Sequence, residues 1–101
     1  MNKFDKRLRE LNRLEDYLKK KHVGYKRVDE NGTIFDRHQI IVWDKDGKYS
    51  WDAICHRGSY GYERGLIEVM GDAVAGDEEV IGYLTAQDVI DILEGRKDGK
   101  I

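Results

Sequence analysis

Proline is absent from these 101 residues, cysteine occurs once, and no apolar run approaches the roughly 20 residues that cross a bilayer. A lone Cys55 excludes an internal disulfide. With no N-terminal apolar segment leading to a small-residue cleavage site, the expected location is the cytoplasm, and no membrane partner is expected. The three histidines, at positions 22, 38 and 56, make no short-range ligand pair with one another or with the thiol, so neither zinc nor any other cofactor is implied. Cations are missing from one long stretch. Between Gly65 and Gly95 there is no Lys, Arg or His, while Glu68, Asp72, Asp77, Glu78, Glu79, Asp88, Asp91 and Glu94 all lie there.

The net charge of −2 conceals an asymmetry: residues 1–43 hold 11 Lys and Arg against 7 Asp and Glu, and residues 44–101 hold 7 against 13. The acidic half sets up a local negative field that steers basic partners. Apolar residues make up 40% of the chain and fall into periodic segments, which predicts one folded domain over 1–95 with a frayed tail over 96–101.

Phe4, Leu8, Leu11, Leu14 and Leu18 recur at steps of three and four, predicting an amphipathic helix over 3–21. Asp5 with Arg9, Glu15 with Lys19 and Asp16 with Lys20 are spaced for i, i+4 ion pairs on its outer face. Lys19, Lys20, Lys21 and His22 suit the negative end of its dipole, and Gly24 is the expected terminator. Tyr25–Asp29 reads as a strand, and Glu30-Asn31-Gly32 as a turn into Thr33–Phe35.

A clearer hairpin follows, with Gln39–Trp43 and Tyr49–Cys55 flanking Asp44-Lys45-Asp46-Gly47. A type I turn closed by a left-handed Gly47 places Trp43 opposite Tyr49 and Ile41 opposite Trp51. Simple alternation then gathers Ile41, Trp43, Tyr49, Trp51, Ala53 and Cys55 on one face, and Ile40, Val42, Ile54, Ser50 and Asp52 on the other. The aromatic face is either core or a platform for a partner.

The spacing of Tyr62, Leu66, Val69 and Met70 predicts a short helix over 62–70, stopped by Gly71. Residues 72–79 read as an acidic loop and Val80–Leu84 as a strand. Thr85 with Asp88 forms a capping box for a last helix, 86–94, with Val89, Ile90 and Leu93 inward and Gly95 at its end. The fold class is therefore α+β: an N-terminal helix, a three- to four-stranded, mainly antiparallel sheet and two further helices.

Chemistry-bearing motifs are incomplete. Cys55 adjoins His56, but strand neighbours point to opposite faces, and His22 or His38 would reach the thiol only through tertiary proximity. Asp44, Asp46 and Gly47 echo the start of a calcium loop, yet the twelfth position, where a bidentate Glu is needed, is Cys55. In Arg57-Gly58-Ser59-Tyr60-Gly61-Tyr62-Glu63-Arg64 the glycines and the expected helix N-terminus offer backbone N–H groups, and the two arginines offer a fork for an anion.

The segments RHQIIVWD, WDAICHRGSYGYERGLIEVMG and VIGYLTAQDVI resemble those of small uncharacterised proteins of gut Clostridia and their phages and mobile elements, over roughly residues 37–93. The resemblance implies a bacterial or phage accessory protein, an inhibitor or regulator, with no functional residue to carry over.

The expected function is a noncatalytic module that binds a basic protein or nucleoprotein. Its candidate binding residues are Trp43, Tyr49, Arg57, Ser59, Tyr60, Tyr62, Arg64, Asp77, Glu78 and Glu79. The alternatives are a nucleic-acid binder using Lys19, Lys20 and Lys21 with Arg27 and Arg37, and a small hydrolase using Cys55 or a histidine.

Overall fold

The computed structural model describes residues 6–31, 36–56, 58–71, 74 and 76–96. A 3-10 turn at Lys6–Leu8 leads into α1 (Arg9–Lys20), whose leucine stripe, Leu8, Leu11, Leu14 and Leu18, is fully buried as its spacing demands. Phe4 and Asp5 lie outside the described residues. Glu15 turns away from Lys19 and bonds across to the Arg27 guanidinium at 3.2 Å and the Tyr25 hydroxyl at 3.0 Å. The helix ends before Gly24. The Val23 N–H donates to the Leu18 carbonyl (3.0 Å) and the His22 N–H to the Lys19 carbonyl (3.2 Å), a Schellman ending whose left-handed residue is His22 at φ 56°.

The strands are β1 (Tyr25–Asn31), β2 (Asp36–Trp43), β3 (Tyr49–Ile54), β4 (Ile67–Gly71) and β5 (Gly76–Leu84). They form one antiparallel sheet in chain order, five strands rather than three or four. Thr33–Phe35 lie outside the described residues.

The added strand replaces the helix expected over 62–70. Gly61 and Gly65 are both left-handed and leave room only for a three-residue 3-10 turn, Tyr62–Arg64. Beyond it Ile67 and Val69 alternate into the core, with ladders to β3 and β5. Tyr62, Leu66, Val69 and Met70 fit a helical spacing in isolation, but Leu66 closes the turn through its N–H to the Gly61 carbonyl, and Val69 and Met70 pair with β3 on one side and β5 on the other, a ladder that the β-branched Ile67 and Val69 favour. Gly71 thus ends a strand, packed so closely on β3 that a Cβ would lie 2.5 Å from the Ser50 carbonyl oxygen. Residues 76–79, expected in a loop, have their backbone in β5; Asp72 lies outside the described residues.

Thr85 and Asp88 make the expected capping box at the start of α2 (Ala86–Leu93): the Thr85 hydroxyl accepts from the Asp88 N–H and the Asp88 carboxylate from the Thr85 N–H. Glu10 of α1 adds an acceptor for the Ala86 N–H at 2.8 Å, and the Tyr17 hydroxyl donates to Glu94 at 2.7 Å, so the helices run side by side in the same direction. Ala86, Val89 and Ile92 are buried, with Ile90 and Leu93 packed against them. Both helices cover the same face of the sheet, and Ile40, Val42, Trp51, Ala53, Ile67 and Val69 meet them there.

Candidate docking face

The β2–β3 turn forms as expected. Gly47 is left-handed (φ 80°), and the Asp44 carboxylate accepts from the N–H groups of Asp46 and Lys48. Trp43 pairs with Tyr49, but the register then shifts: Val42 pairs with Trp51 and Ile41 with Asp52, leaving Ser50 as a bulge. The extra residue splits the expected aromatic face. Trp51, Ala53 and Cys55 join Ile40 and Val42 in the core, whereas Trp43 and Tyr49 lie with Ile41, Asp52 and Ile54 on the side away from the helices.

That helix-free side collects the large exposed apolar residues of the described chain: Trp43, Tyr49, Tyr60, Met70, Val80 and Tyr83. Met70 pairs with Asp52 and with Val80, so one row crosses three strands. Gly82 follows two residues after Val80 on the same side, and a Cβ there would sit 2.4 Å from the Tyr60 Cβ; the missing side chain is the space that Tyr60 fills. Tyr60 stacks on Tyr83, with ring centroids 6.2 Å apart, and about 60% of each residue is open to solvent (59% and 60%). Tyr83 is held at φ 60°, a conformation that costs a side chain of its size on the order of 1–3 kcal/mol. Beside the pair lies an open cleft of about 820 Å³, lined by Ser59, Tyr60, Tyr62, Glu63, Arg64 and Tyr83 among others.

The glycine-rich segment divides between structural and outward roles. Ser59 closes its own loop, donating to the His56 carbonyl at 2.7 Å and accepting the His56 N–H at 3.1 Å. Tyr62 is tied to the N-terminal turn, with the Arg7 guanidinium 5.1 Å from its ring centroid and donating to its hydroxyl at 2.9 Å. Tyr60 and Arg64 remain outward. Arg57 lies outside the described residues, as do the side chains of Asp77, Glu78 and Glu79. The expected helix N-terminus for an anion does not exist, because the turn is three residues long.

Among the described residues, Arg27 and Arg37 do not share a face. Arg27 faces the helix side, paired with Glu15 and with Asp29; Arg37 faces the open side, paired with Glu30 and bonded to Gln39. Lys19, Lys20 and Lys21 are exposed at the end of α1. Cys55 is fully buried, and its thiol donates to the Arg7 carbonyl at 3.3 Å.

His38 is also fully buried, with Nδ1 2.8 Å from Asp29 and Nε2 3.2 Å from Asp36. The two carboxylates occupy opposite ring nitrogens, and no group of three metal-ligating side chains converges among the described residues. Burial works to raise the Asp29 carboxyl, but hydrogen bonds from His38 and Arg27 and the charge of Arg27 outweigh it and hold it below its ordinary value. A second cavity, about 440 Å³, opens between the helix C-termini over Trp51 and is lined by Tyr17, Lys21 and Leu93 among others. There the Tyr17 hydroxyl is pushed up to about 12 by burial and by its bond to Glu94.

Tyr83, Met70 and Asp52, which join the helix-free face, are not among the residues that the sequence marks as candidates, whereas His38 is marked only as a possible base for Cys55. A glycine inside a strand pattern, Gly82, was the available signal for the Tyr60 contact. Nothing local marks Met70 or Asp52. No described helix is long and apolar enough to cross a membrane. No family model, curated protein or solved structure matches the chain.

Proposed function

We propose that this chain is a noncatalytic module that docks a basic protein partner on the open face of its sheet. The observation that carries this is the convergence of the large exposed apolar side chains on the one face that neither helix covers. Monomeric proteins rarely leave such surface open without a binding role. Charge supports a basic partner: β5, which bounds the face on one edge, carries Asp77, Glu78 and Glu79 in sequence. The burial of Cys55, with its thiol committed to a backbone carbonyl, and the engagement of both His38 nitrogens favour binding over hydrolysis. The resemblance to small phage and mobile-element proteins supports an accessory role, as an inhibitor or regulator acting in the cytoplasm.

Exposed aromatics on an open sheet also suit single-stranded nucleic acid, whose bases stack on such rings. Against that stand the acidic edge and the dispersal of the arginines over two faces. Immobilised wild-type protein and its Met70→Lys and Tyr49→Ser variants, exposed to bacterial lysate with and without nuclease, separate the two. A protein retained after nuclease treatment by wild type and released by both variants is the expected result. Retention that needs intact nucleic acid would favour the stacking alternative, and capture indifferent to both variants would remove the open face as the docking surface.

A further inference from the structure

We propose that Asp52 is the point at which the open face receives an arginine side chain of its partner; this rests on the assignment of that face as the docking surface. Asp52 sits on β3, the central strand of the five, a position where an acid is intrinsically disfavoured and an apolar or aromatic residue fits best. Its neighbours across both ladders are apolar, Ile41 on β2 and Met70 on β4. Two donors hold its carboxylate: the Gln39 side-chain amide bonds Oδ2 at 3.0 Å and the Tyr49 hydroxyl bonds Oδ1 at 2.5 Å. No Lys, Arg or His among the described residues pairs with it. A carboxylate has about four acceptor positions, so about two remain.

The fold thus spends two side chains on orienting a charge that it does not neutralise. Covering the face with an apolar partner would strip water from that charge and leave it uncompensated, a strongly unfavourable arrangement. A partner that brings a cation gains a charge-assisted hydrogen bond at the same point. Arginine fits better than lysine: its planar fork matches the two free carboxylate positions, and its flat surface stacks on the exposed rings of Tyr49 and Trp43. Ile41, Ile54 and Met70 around it would exclude water, the setting in which an interfacial arginine contributes most.

The test is a titration of ¹⁵N-labelled protein with the blocked tripeptide Leu-Arg-Leu and with Leu-citrulline-Leu, which has nearly the same shape without the charge. The arginine peptide is expected to shift the Trp43 indole, the Gln39 side-chain amide and the Asp52 amide, and to bind about tenfold more tightly than its citrulline counterpart. Asp52→Asn keeps acceptor capacity toward Tyr49 and should abolish that preference. Equal binding of the two peptides to the wild type would overturn the proposal without recourse to any variant, as would an arginine preference that survives Asp52→Asn. If both peptides bind the open face equally and Met70→Lys releases them, the docking face stands and the role of Asp52 falls. If neither peptide moves an open-face resonance, both fall together.

Discussion

Trp43 and Trp51 stand on adjacent strands of one hairpin and face opposite sides of the sheet, Trp51 3% exposed and Trp43 36%. The single bulge at Ser50 separates them. Trp51→Ala should therefore cost about 3–5 kcal/mol, as for a large aromatic lost from a core, while Trp43→Ala should stay near the cost of a surface change and weaken partner binding instead. Denaturant melts of both variants check this; equal losses would contradict the assignment of the two faces.

His22 closes α1 in a left-handed conformation that glycine adopts without strain. His22→Gly should raise stability by up to about 1 kcal/mol, the freer unfolded chain offsetting part of the relief. An equivalent change at Gly24, to Ala, should be nearly neutral, because a Cβ there meets no atom within 4 Å. Thermal melts of the two variants give the comparison.

The Asp29–His38–Asp36 cluster predicts a dependence on acid. Because the Asp29 carboxyl is held below its ordinary value, its contribution to stability is complete above the unfolded value of about 4 and is lost as pH falls through the folded one. His38→Ala removes a hydrogen bond and should let the Asp29 carboxyl rise, moving acid unfolding to higher pH. Circular dichroism across an acid titration of wild type and variant checks the direction; an unchanged midpoint would mean that Arg27 alone holds the carboxylate.

Charge along β5 should act on the rate of encounter. Replacing Asp77, Glu78 and Glu79 by Asn, Gln and Gln is expected to slow association with a basic partner and flatten its dependence on salt, with dissociation little altered. Stopped-flow association across a salt series, once the partner is in hand, distinguishes this from a merely solvated edge, for which the rates of wild type and variant would coincide.

Local chemistry was the legible part of the chain. The leucine stripe of α1, the Asp44–Gly47 turn and the Thr85–Asp88 capping box each depend on residues within a turn or two of one another, and each forms as its spacing implies. Trp43, Tyr49 and Tyr60, expected as candidates from their type and position, lie exposed on the open face. Their separation from Trp51 was not legible, because a bulge of one residue reverses every side chain beyond it and leaves no mark in the alternation itself.

The sequence by itself determined where the two α-helices and the central hairpin lie, since spacing, capping and turn residues act within short segments. Only the tertiary structure decided that Ile67–Gly71 is a strand, that Asp52 lies in the middle of an apolar face and that His38 is enclosed by two carboxylates. Each of those outcomes depends on partners far along the chain: strand ladders that satisfy backbone groups from both sides, and a register that selects which face a side chain joins.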